Sequence, residues 1–321
     1  MEAVHTIYGN LNGIVSLETG ANGQWVKECQ LGQPNRLTTQ YGTWIPAYTQ
    51  ATTRNKYGKS LSFYPSGTLK AISLEEKTRI RTAYGTFEAE LITFHENEAI
   101  KKLFPLNGKL SGFWEESSEK TLSRPIHLST SVGEVNNHVI SLGFYSSGAF
   151  RNVTLWPGES LYVHTPHGKV LTRIGFNVYP EGKLKSLEPA NPTAVPTPIG
   201  DIYAYDVTAV GIHADTNSLN YDELGHVRSL KTSTDAIDIR DPEGHGFFFM
   251  PELVISPMNP ERTETKPLEI EFLPEGIRIN QRADYFFSYD QYAFRIKPFT
   301  HIYSTGCDDC SSCGASDTCH A

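Results

Sequence analysis

Hydrophobic and polar residues alternate along most of this chain in short runs bounded by turn residues, the period-two signature of half-buried strands. Gly85-Thr86-Phe87-Glu88-Ala89-Glu90-Leu91 shows the pattern clearly, and Leu268-Glu269-Ile270-Glu271-Phe272 repeats it. Phe247-Phe248-Phe249 and Tyr285-Phe286-Phe287 through Phe294-Arg295-Ile296 read as further strands, so a second β region is expected over roughly 240 to 303. Helical signals are scarce. Residues Glu115 to Leu122 predict one short helix, polar enough for a surface connection. Residues 189–198, with Pro189, Pro192, Pro196 and Pro198, predict an extended loop.

One pattern recurs along the chain: an aromatic or apolar residue, three mostly turn-like residues, Gly, any residue, an apolar residue, Lys or Arg, any residue, an apolar residue. Copies start at Phe63, Phe94, Phe144, Val178 and Tyr221, and a weaker match starts at Phe272. The basic position holds Lys70, Lys101, Arg151, Lys185 and Arg228, while Glu98 replaces the glycine in the second copy. Such a unit predicts a β-hairpin whose glycine takes a positive φ. Leu69 and Ile72, both expected to face inward, are three apart, so strict alternation fails and a bulge or an early strand end must be invoked. A second element, Thr82-Ala83-Tyr84-Gly85, returns at 165–168 and 197–200, with Thr39-Gln40-Tyr41-Gly42 a further copy. Each is a turn introducing a new strand. The turn centres at 67, 98, 148, 182 and 225 are unevenly spaced, so the units carry insertions.

These residues resemble the MORN repeat in the variant form common in bacterial proteins, over about residues 57 to 235. The resemblance implies an elongated, meandering antiparallel sheet of hairpins in a protein that acts as a scaffold or interaction surface. The expected fold is all-β: a meandering antiparallel sheet of MORN-like hairpin repeats with a C-terminal β extension and a Cys-rich tail. The expected segments are an N-terminal β segment at 1–56, the repeat sheet at 57–239, the extension at 240–303 and the tail at 304–321.

Charge narrows the partners. With 28 Lys+Arg against 36 Asp+Glu, the net charge of -8 argues against nucleic acid or anionic lipid, which select for basic footprints. No apolar run has the length of a membrane span, and the first residues lack the features of a signal peptide, so a cytoplasmic protein is expected. The aromatic residues, 16 Tyr, 16 Phe and 4 Trp, supply both core and contact surface, and a protein partner is the expected one.

Candidate chemistry is concentrated at the C-terminus. Cys307, Cys310, Cys313 and Cys319 lie close together, followed by His320, whereas Cys29 stands alone and reads as a small buried residue. Clustering of this kind argues against a disulfide framework and for local metal or redox chemistry. The first spacings are similar to those of ferredoxin-type iron–sulfur sites, yet the last ligand comes late and no proline follows it. A zinc site competes, copper(I) suits soft thiolates, and a tail without a folded site is the plain alternative. His213 and Asp215, two apart in a lengthened unit, would share one side of a strand and make a possible acid–base pair. His164 and His167 fall at a turn, and the row of basic residues reads as a solvated face rather than an anion stripe. The chain has no phosphate-binding Gly-rich loop, nucleophile elbow or His-Glu-x-x-His helix, so no motif supports a particular enzyme. The expected function is a binding or scaffold protein with a metal- or iron–sulfur-binding cysteine segment. The rival is a redox enzyme or electron carrier that uses those cysteines.

Overall fold

Turn chemistry sets the architecture. In the computed structural model, which describes residues 3–48, 53–54, 58–108, 114–210, 217–256, 259 and 261–299, the alternating runs form a sixteen-stranded antiparallel sheet. Its hydrogen-bonded path starts at Ile14–Thr19, continues through Val26–Leu31 to Leu61–Phe63, and ends with Leu268–Leu273, Gly276–Ile279 and Phe286–Ser288. Strand accounts for 58% of the chain and helix for 3%, so the expected all-β meander holds. The helix is Glu116–Thr121, at the predicted place. Cys29 pairs with Leu61 and Thr232 with Leu268, so strands from the expected N-terminal and C-terminal segments extend the same sheet. No helix among the described residues is long and apolar enough to cross a membrane.

Five sheet hairpins share one irregularity. Phe63 pairs with Leu69 but Ser62 with Ala71, which leaves Lys70 as the extra residue of a β-bulge. The same slip isolates Lys101, Arg151, Lys185 and Arg228. Each basic residue is therefore the bulged one, and its bulge lets two apolar residues three apart both reach the core. Val26–Leu31 repeats the slip at Lys27, a copy the sequence pattern misses because its turn is one residue longer. Glu98 adopts φ 66, close to the φ 83 of Gly67 in the equivalent turn.

The Thr-x-x-Gly turns close a second set of hairpins. Besides the four recognised copies, 6–9 and 130–133 adopt the same turn, in which the threonine Oγ1 donates to the glycine carbonyl and accepts the N–H two residues on. These side hairpins lie over the sheet and bury Leu11, Leu37, Trp44, Ile80, Phe87, Val135, Val163 and Ile202 in the same apolar cluster as the sheet residues. Tyrosines tie the two layers. The phenol oxygens of Tyr8, Tyr41 and Tyr84 accept the backbone N–H groups of Leu69, Ile100 and Phe150 at 2.9, 3.3 and 3.0 Å. Those three amides open the return strands at the bulges. Each of these three side hairpins thus reaches past the next sheet hairpin to cap the one beyond it.

A separate lace links neighbouring turns. The Tyr64, Tyr145 and Tyr179 hydroxyls donate to the carbonyls of Phe94, Val178 and Tyr221, each on the following sheet hairpin.

Two local expectations change. Residues 193–197 are a strand paired with 200–204, because Pro196 sits in a two-stranded ribbon whose other side needs no donor. At Phe272 the connection is a tight turn with Leu273 opposite Gly276, and Gly276 keeps a negative φ. The left-handed turn recurs instead at Asp241 to His245, where Gly244 has φ 88.

Candidate functional site

Cys307, Cys310, Cys313 and Cys319 lie outside the described residues, as do His213 and Asp215. Cys29 is buried within Val26–Leu31, and burial pushes its thiol up to about 12. His164 and His167 are exposed at the Thr165 turn, and the His167 ring lies near that of Tyr221. Of the basic row, Lys70, Arg151 and Lys185 lie 5.7, 5.8 and 5.5 Å from the ring centroids of Tyr64, Tyr145 and Tyr179. These residues cover their own turns.

The face of the sheet opposite the apolar cluster carries a buried polar seam that sequence reasoning did not find. Asn152 donates to Asn177 Oδ1 at 3.1 Å, and Asn177 and Asn217 both donate to Ser186 Oγ at 2.9 and 3.0 Å. One strand position along, Ser218 donates its N–H and hydroxyl to Glu188 Oε2 at 2.8 and 2.6 Å. Arg173 Nη2 stands 3.7 Å from Glu188 Oε1, which has no hydrogen-bond partner among the described residues. Burial raises the Glu188 pKa in spite of those donors. The only sequence signal was indirect: polar residues alternate with Val153, Phe176 and Leu187, as on any strand with one wet face.

At the tip of the 241–245 turn, one ligand atom each from Asp241, Glu243 and His245 lie within 4.8 Å of one another. The same Asp-to-His contact closes the turn at Asp222 and His226, at 3.2 Å, so the pair belongs to the turn and no metal is assigned to it.

Large apolar side chains are exposed over residues 247–255. Gly246–Phe249 is an edge strand of a three-stranded sheet in which Asp235–Arg240 is central and Ala293–Pro298 forms the other edge. Phe247 and Phe249 pack on Phe287 at 5.1 and 5.6 Å, while Phe248 points the other way and is 54% exposed. Met250, Leu253 and Ile255 follow it at the surface, Ile255 at 68%. Consecutive strand residues face opposite sides, so three phenylalanines in a row already require one of them outside. No family model matches the chain, and comparison with curated proteins and with solved structures found no significant match.

Proposed function

We propose that this chain is a binding or scaffold protein built on MORN-like hairpin repeats, and that its C-terminal β region docks a protein partner. The carrying observation is the run of exposed large apolar side chains, Phe248, Met250, Leu253 and Ile255, together with an edge of Gly246–Phe249 that has no partner strand among the described residues. Exposed apolar surface of this concentration marks interaction sites, and a free strand edge accepts an extended segment by main-chain pairing. The recurring bulges at Lys70, Lys101, Arg151, Lys185 and Arg228 support the MORN-like reading of the sheet.

A photoreactive residue placed at 248 or 255 in the expressing cell is expected to cross-link the same protein from both positions. That adduct should disappear in the Leu253→Asp variant. Cross-linking to nothing, or only to a second copy of this chain, would overturn the partner reading. The cysteine segment belongs to the same proposal as a metal or iron–sulfur site. Replacing any one of Cys307, Cys310, Cys313 or Cys319 by Ser should sharply lower metal content in protein purified without oxygen, while Cys29→Ser should not. Four silent substitutions would remove the metal from the proposal.

A further inference from the structure

Two pairs of neighbouring side hairpins close on one another. Between the hairpins at 4–11 and 37–44, the space beside Tyr8 and Tyr41 is only about 10 Å³. The hairpins at 126–137 and 160–173 touch directly, with His164 N–H donating to the Val132 carbonyl at 2.7 Å. Between the hairpins at 78–89 and 126–137 the gap instead opens to a cleft of about 620 Å³. This is where the spacing of turn centres is longest, from 98 to 148, and the added length is the connection that carries the helix Glu116–Thr121. That connection is pinned. Glu119 accepts bonds from Arg54 at 2.8 Å, Trp114 Nε1 at 2.8 Å and Gly108 N–H at 2.9 Å, and Arg54 also binds Glu90 at 2.7 Å.

Its walls differ in kind. On one side stands Tyr84, whose ring packs on Phe144 and Phe150 at 6.2 and 5.9 Å and whose oxygen is held by Phe150 N–H. The ring is a rigid platform that remains 40% exposed. On the other side, His127 lies opposite Asn136 and Ser129 opposite Glu134, so four polar side chains share one outward face. Ser129 donates to Glu134 Oε2 at 2.7 Å, which leaves the other carboxylate oxygen to accept. Among the described residues no Lys or Arg lines the cleft, which argues against an anionic ligand. The amide of Asn136 and the imidazole of His127 offer both donors and acceptors, a balance that matches hydroxyl groups better than a bare cation. The volume suits a small ligand.

We propose that this cleft binds a saccharide. One C–H face of the sugar ring stacks on Tyr84, while its hydroxyls exchange hydrogen bonds with Glu134, Asn136 and His127. The test uses the full chain against glucose, galactose, mannose, N-acetylglucosamine and cellobiose, followed by saturation-transfer NMR and calorimetry. At least one sugar should bind, with ring C–H protons receiving the saturation. Glu134→Ala and Asn136→Ala, both at exposed positions, should each weaken it by about tenfold, equivalent to ~1.4 kcal/mol. Tyr84→Ala should abolish binding, whereas Tyr84→Phe, which keeps the ring, should retain most of it and thereby separate stacking from loss of the Phe150 cap. Binding by none of the five sugars, or binding indifferent to Glu134→Ala and Asn136→Ala, would overturn the proposal. So would preferential binding of arginine methyl ester, since a guanidinium would then be the group that Tyr84 and Glu134 recognise.

Discussion

Glu98 holds a left-handed position that Gly67, Gly148, Gly182 and Gly225 occupy in the related turns. A side chain there costs ~1–2 kcal/mol, yet its carboxylate accepts a 2.6 Å bond from the buried Tyr8 hydroxyl. Burial first, and this bond second, push the Tyr8 pKa up to about 12. A hydrogen bond to a charged group is worth about 1.5–3 kcal/mol, so Glu98→Gly should destabilise by roughly 1 kcal/mol on balance. In a Tyr8→Phe background the same change should stabilise instead, and urea unfolding of the four proteins would expose that reversal of sign. Glu188 gives a pH prediction. Its folded pKa lies above the ordinary 4.5, so the folded state holds the proton more tightly than the unfolded chain does. The stability it contributes is greatest in acid and declines as the pH rises from about 4.5 through the raised value. Relative to Glu188→Gln, the wild type should lose stability in urea titrations as the pH rises above about 4.5. A flat difference would show that the carboxyl is solvated. Neither residue's role could be read from the sequence. Glu98 was recognised as a substituted glycine, but its Tyr8 partner lies 90 residues away.

At the scale of the element, the hairpins were legible because their signals are local. A turn glycine and a basic residue at fixed offset predicted the hairpin, the two apolar residues three apart called for a bulge or an early strand end, and Phe63-to-Leu69 pairing shows a bulge at Lys70. The side hairpin at 130–133 escaped notice although it keeps the Thr and Gly of the pattern, with Ser131 and Val132 where Ala83 and Tyr84 stand in the copy at 82–85. What no local signal encodes is the tie between layers, since the phenol and the amide it caps are 59 residues apart for Tyr41 and Ile100. Tyr41→Phe should leave the Ile100 N–H without its phenol acceptor at a cost of about 1–3 kcal/mol. Thermal unfolding followed by circular dichroism would measure it, and a change below a few tenths would mean that water replaces the phenol. The cleft beside Tyr84 was foreshadowed only as uneven repeat spacing, because a gap between two elements is a property of neither one.

For the whole molecule, the sheet behaves as a row of units in which each contacts the next and, through the side hairpins, the one after. A chain that starts at residue 57 would lose Cys29 opposite Leu61, the Tyr8 and Tyr41 caps, and the apolar cover of Leu11, Leu37 and Trp44. It should fail to show a cooperative melt, whereas a chain ending at 305 should melt close to the full-length protein because the missing tail has no large apolar residue. An undisturbed melt for the first truncation would establish that the sheet from 57 onward is self-sufficient. The skipping tie also has a consequence during translation. Leu69 and Phe150 follow Tyr8 and Tyr84 by 61 and 66 residues, so a finished side hairpin must wait for that much more chain to leave the ribosome. At synthesis rates of ~5–20 residues per second this delay is about 3–13 seconds. Throughout that interval, the growing end of the nascent protein presents Tyr and Trp side chains whose destination has not yet been made, a standing claim on whatever chaperone attends the exit tunnel.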